Sequence, residues 1–170
     1  MPLADERWTW DAGVHPKVER VLAIPASDLG WCGQLETATT CATVGKVLCV
    51  CAAAAVAREI ARRCGAGQSV IDALDLLVLW IEDPTDERFE SICSLIFDQG
   101  GTEFDQCGVI WWTLRTATSS VGNFEAGWAL EATCGAALDA GLTAEQLRMI
   151  VERELLSRSQ PAGPGAARQD

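Results

Sequence analysis

Eight cysteines, a single histidine, 24 acidic residues and seven tryptophans are the side chains of this chain that could do chemistry. Their spacing decides what chemistry is open to them. Structural zinc needs four Cys or His ligands, usually supplied as two close pairs, and no Cys-x-x-Cys pair occurs. On a helix Cys49 and Cys51 diverge by about 200°. Cys41 and Cys49 share a face but lie about two turns apart. The histidine, His15, stands beside Pro16 in an irregular stretch. The Glu-x-x-His pairs of di-iron bundles are therefore missing, and a Cys–His nucleophile would have to bring His15 against a thiol without any supporting motif. These patterns predict no catalytic residue, no metal site and no cofactor. Cys41, Cys49, Cys51, Cys93, Cys107 and Cys134 sit among alanines and aliphatics, where free cysteine behaves as a small buried hydrophobe. We expect reduced, unpaired thiols.

The carboxylates offer one cluster. Glu82, Asp83, Asp86, Glu87 and Glu90 gather around a helix–helix corner. Three readings compete: charges that cap helices on a solvated face, a docking patch for a basic partner, or a cation site, although the spacing matches no calcium loop. Gly65-Ala66-Gly67-Gln68-Ser69 looks superficially like an anion cradle. It follows a helix and lacks the P-loop lysine, so it reads as an interhelical turn.

The tryptophans, against four phenylalanines and no tyrosine, point elsewhere. Trp111 and Trp112 diverge by about 100° on a helix. Trp111 shares a face with Phe104, Cys107 and Leu114, which predicts core. Trp112 shares one with Asp105, Val109, Arg115, Thr116 and Ser119. Tryptophan with arginine on a mixed surface is the composition of interface hot spots. Trp112 and Arg115, with Asp105 and Ser119 on the rim, form the candidate partner-binding surface. The competing reading is that another segment of the chain covers Trp112.

The net charge is −11. It disfavours phosphate backbones and anionic lipid and suits a protein partner with a basic surface, or a second copy of the chain. The longest apolar run, Val47 to Ala57, is too short for the roughly 20 residues that cross a bilayer. Asp5 and Glu6 do not make a signal sequence, so the expected location is cytoplasmic.

The elements that must hold these residues are marked by their ends. Pro16 starts a short helix that stops before Pro25. A long helix over about 35–64 closes with Arg58, Arg62, Arg63 and then Gly65, and Glu59 pairs with Arg63. Ser69 and Asp72 suggest a capping box for a helix that ends at Asp83-Pro84. It is apolar nearly all round, which predicts a central position. Thr85 caps the next helix, with Asp86 and Glu87 in its first turn. Helices follow over about 102–119 and 123–140, then from Thr143, with Gln146 completing a capping box. Gly108, Ala117, Gly127, Ala132 and Gly135 predict close packing of the helices over 102–119 and 123–140. With 49% hydrophobic residues and no period-two segment, the reading is a single all-α domain of about six antiparallel helices plus a short N-terminal one. Its core centres on Leu77, Trp80, Ile96, Trp111 and Leu130. Residues 1–33 form an irregular arm containing the short helix, 34–158 the helical domain, and 159–170 a disordered tail.

Trp80-Ile81-Glu82-Asp83-Pro84-Thr85-Asp86-Glu87 resembles an element of an all-helical bacterial family of unknown function. There a Cys/Ala-rich helix, here Cys49 to Arg58, precedes a helix ending in Trp-Val-x-Asp-Pro-Thr-Glu-Glu. The resemblance spans about residues 45–140 and carries no catalytic residues. It implies an all-helical fold and a place in bacterial signalling or conflict systems. Helical toxin-immunity proteins are similar at a coarser level. The expected function is a non-enzymatic interaction module: an adaptor, assembly subunit or immunity-type inhibitor. The alternatives are an enzyme using a cysteine or carboxylate cluster, or a helical domain that binds a small molecule.

Overall fold

The computed structural model describes residues 16–38, 42–66, 68–82, 85–97, 108–118 and 125–159. The described residues form eight helices and no strand. In order they are α1 (Pro16–Leu22), α2 (Trp31–Glu36), α3 (Ala42–Arg63), α4 (Gln68–Glu82), α5 (Asp86–Phe97), α6 (Val109–Thr118), α7 (Glu125–Asp139) and α8 (Ala144–Ser159). The chain is an all-α domain around one continuous apolar core.

Helix α3 is the axis of that core. Every residue from Val47 to Ala57 is buried, and α2, α4, α6, α7 and α8 all pack on it. Alanine and cysteine explain why one helix can serve so many neighbours, since short side chains let backbones approach from every side. This corrects the expectation that the apolar helix beginning near Ser69 is central. That helix, α4, packs on α3 and α5. Leu74 and Leu77 are buried, whereas Trp80 is only partly so and Leu79 is exposed. Trp80 meets Phe89 of α5 at 5.5 Å between ring centroids. Within the expected core set, Leu77 and Leu130 are fully buried. The side chains of Ile96 and Trp111 fall outside the described residues.

The helix ends follow local chemistry. At the end of α3, Ala66 N–H donates to the Ala61 carbonyl and Gly65 N–H to that of Arg62. Gly65 has φ +65°, the left-handed conformation that such a stop requires. Leu142, Ala137, Gly141 and Leu138 repeat the pattern after α7. The Thr143–Gln146 capping box forms in both directions, at 3.0 and 3.2 Å. Asp72, expected to complete a box with Ser69, instead accepts from the Gln68 amide at 2.9 Å, and α4 begins at Gln68.

Two long helices predicted from sequence are shorter. The helix expected over 35–64 is divided: α2 occupies Trp31–Glu36, across the boundary between the expected irregular arm and that helix, and α3 starts at Ala42. The chain turns back on itself so closely that a Cβ at Gly45 would overlap the Glu36 carbonyl. The helix expected from about Thr102 is described only from Val109. Gly108 has φ +74°, outside helical geometry, so it bounds α6 and is not an interior glycine. Residues 102–107 and the tail beyond 159 lie outside the described residues.

Candidate interaction face

Helices α6 and α7 pack side by side, and a tryptophan from each meets at their outer edge. Trp112 is partly buried against the core. Trp128 is 56% exposed, the more open of the two. Their ring centroids are 5.0 Å apart at 87°, the edge-to-face geometry that aromatic quadrupoles favour. Trp128 lies between Glu125 and Glu131, both exposed, while Ala126, Ala129, Leu130, Thr133 and Cys134 fill the other side of α7. Arg115, one turn along from Trp112, is exposed.

The face expected around Trp112 is therefore only partly a surface. Val109 and Thr116 are buried, and the Thr116 hydroxyl donates to the Trp112 carbonyl at 2.9 Å. Asp105 and Ser119 lie outside the described residues. Sequence reasoning missed Trp128. The signal was present, because its neighbours three positions away on either side are both glutamates, which places it on the solvated face of α7.

A buried polar joint holds α7 in place. The Glu36 carboxylate accepts the Gly127 N–H through Oε2 at 2.8 Å. That N–H belongs to the first turn of α7, where an anion is favoured. A Cβ at Gly127 would stand 2.9 Å from Gly33 Cα, so the close packing this glycine permits is against α2. This corrects the expectation that it serves α6. A Cβ added at Gly135 would meet nothing within 4 Å, so that glycine marks no close approach. Lys46 of α3 is half-buried. Desolvation lowers its pKa, and the carboxylates of Glu36 and Glu125 oppose that shift. On the far side, Arg148 of α8 donates to the Leu22 carbonyl and to that of Ile24 (2.5 Å). Its guanidinium lies 4.7 Å from the ring centroid of Trp31, a cation–π contact. These two carbonyls close the end of α1, so Arg148 ties the α1–α2 segment to the bundle.

The acidic corner is less organised. Asp86, Glu87 and Glu90 are exposed on α5. Thr85 Oγ1 accepts the Arg88 N–H at 3.3 Å, the expected cap, and Asp86 and Glu87 occupy the first turn. Asp83 and the Glu82 side chain lie outside the described residues. Among the described residues, no group of three or more His, Cys, Asp or Glu could hold a metal ion. His15 is outside them.

None of the described cysteines is in a disulfide: Cys32, Cys49, Cys51 and Cys134 are buried and Cys64 is exposed. Burial pushes the Cys49 thiol well up. The hydrogen bond to Cys134, then burial, raises Cys32. Such thiols stay protonated, which makes them poor nucleophiles. A shallow depression of about 320 Å³, lined by Arg20, Val21, Ile24, Gln34, Thr37 and Ala38, opens beside α1 and α2. No described helix is long and apolar enough to cross a membrane.

Compared with protein-family models, curated proteins and solved structures, the chain matches none.

Proposed function

We propose that this domain is a non-enzymatic protein-interaction module. Its docking face is the Trp128–Trp112 edge of α6 and α7, with Arg115 beside it. The carrying observation is an indole 56% exposed and stacked edge-on against a second indole at 5.0 Å. Large aromatic anchors with arginine are where interface energy concentrates, and the second ring limits the rotamers that the first would lose on binding. Glu125 and Glu131, together with the net charge of −11, favour a partner with a basic surface around an apolar pocket. The resemblance to the all-helical bacterial family makes an adaptor, assembly subunit or immunity-type inhibitor of a signalling or conflict system the biological setting of this reading.

The test compares wild type, Trp128→Ala and Leu79→Ala as affinity baits in the native cells, alongside thermal melts of each. Leu79 is the control because it is similarly exposed, at 50%, on a different helix. A protein retained by wild type and Leu79→Ala but lost with Trp128→Ala, at unchanged Tm, supports the reading. Identical capture by all three baits, or a Trp128→Ala chain that melts far below wild type, overturns it.

A further inference from the structure

Cys32 on α2 and Cys134 on α7 come from positions 102 residues apart, yet their sulfurs stand 3.7 Å from each other in the core. Both side chains are fully buried. The approach is fixed by backbone geometry. Gly33, next to Cys32, lies against Gly127, and Glu36 at the other end of α2 holds the Gly127 N–H. Neither sulfur can drift from the other while this joint is closed. By contrast Cys49 and Cys51 diverge around α3 by about 200°, and Cys64 is exposed just past the end of that helix.

We infer that Cys32 and Cys134 are a disulfide-forming pair, closed by exchange with a small-molecule disulfide and tying α2 covalently to α7. Closure shortens the 3.7 Å separation to a bond of about 2.05 Å. Helix α2 has only six residues, so it is the element whose local opening admits the oxidant. On opening, the Cys32 thiol loses its proton, and its sulfur attacks one sulfur of the small disulfide. A mixed disulfide forms and one small thiolate leaves, taking up a proton. When α2 returns, Cys134 loses its proton, and its sulfur attacks the Cys32 sulfur and expels the second small thiolate, which is protonated in turn. Two protein thiols are oxidised and one small disulfide is reduced to two thiols. Burial makes the reaction slow in the closed state and protects the product. Reducing surroundings leave the pair open, and oxidising ones lock the joint that orients α7.

The experiment uses the full chain with Cys64→Ala, which removes the one exposed thiol among the described residues and keeps seven of the eight cysteines. It is equilibrated with glutathione disulfide, denatured, alkylated and analysed as intact protein and as peptides. The expected result is five alkyl adducts instead of seven and one dominant peptide linking Cys32 to Cys134. Both are reversed by dithiothreitol and abolished by adding Cys134→Ala. Because the closed loop is long, Tm should rise by about 5–10 °C on oxidation. Seven adducts after equilibration overturn the inference. So does a linked peptide dominated by any other pair, or oxidation that lowers Tm.

Discussion

On one side of α7, Gly127 meets Gly33 so closely that a single methyl group would reach 2.9 Å from its Cα, and the N–H there is held by a buried carboxylate. On the other side, Trp128 offers most of an indole to solvent with Trp112 against it. The two sides of one helix thus differ in what they leave over. The α2 side uses close backbone approach and a hydrogen bond to Glu36, and leaves no room for anything else. The tryptophan side has a large apolar surface that stays open to solvent. Buried polar groups such as Glu36 and Arg148 look like a site when read as residue types. Their bonds point into the fold, to Gly127, Leu22 and Ile24, and identify them as supports.

The most damaging change is expected where α3 meets Glu36, the residue of α2 that holds the tight joint. Gly45→Ala places a Cβ onto the Glu36 carbonyl, which is backbone and cannot rotate away. The cost should be about 3 kcal/mol or more, read as a lower urea midpoint with an unchanged slope. A loss under about 1 kcal/mol would show that α2 and α3 part easily and that the joint is not a fixed support.

Arg148→Met comes next. It keeps the aliphatic bulk but removes the donors to Leu22 and Ile24 and the charge over Trp31. Carbonyls shielded from water and left unpaired cost up to about 1–3 kcal/mol, less where they are only partly buried as here, and the cation–π contact adds about 1 kcal/mol. We expect about 2–3 kcal/mol in all, with hydrogen exchange accelerated first in α1 and α2. Exchange rising equally throughout the bundle would contradict the local role of Arg148.

The tryptophan side should respond more mildly, and unequally. Trp112→Ala removes a ring packed on the core and should cost about 2 kcal/mol, short of the roughly 3–5 kcal/mol seen for fully buried large residues. Trp128→Ala should cost no more than about 1 kcal/mol of stability while weakening partner binding by about 2 kcal/mol or more. If the two substitutions destabilise equally, the indoles form one structural unit and the asymmetry fails.

How much of this is legible in sequence depends on distance along the chain. The stops at Gly65 and Gly141, the Thr85 cap and the Thr143–Gln146 box are written within a few residues of where they act, and are readable for that reason. The position of α4 is misjudged when apolarity is taken for centrality, whereas the alanine and cysteine content of α3 carries the stronger message of close approach from all sides. The end of α2 at Glu36 escapes a sequence reading because only the turn of α3 back onto α2 makes Gly45 obligatory. The Glu36–Gly127 bond spans 91 residues and no local pattern announces it. Trp128 is within reach, since Glu125 and Glu131 mark its face, but the adjacent Trp111-Trp112 pair is the louder signal.

The smallest effect concerns the end of α3, far from both sides of α7. Glu59 accepts from Arg63 Nε at 2.9 Å and from Arg62 at 2.6 Å. The Arg63 hydrogen bond leads in holding its carboxyl below the ordinary value, with the charges of Arg62, Arg63 and Arg153 assisting and partial burial opposing. The folded pKa is thus below the unfolded one of about 4.3. The stabilisation is fully present above that unfolded value. It falls away as pH drops from about 4.3 through the lower folded value. Both arginines are substantially exposed, so screening limits the pair to about 0.3–0.5 kcal/mol. Urea melts of wild type and Glu59→Gln should differ by about that much at neutral pH in low salt, and converge once pH falls well below the unfolded value. A difference that persists in acid, or grows with added salt, would mean that Glu59 acts through packing and that its ion pairs contribute nothing.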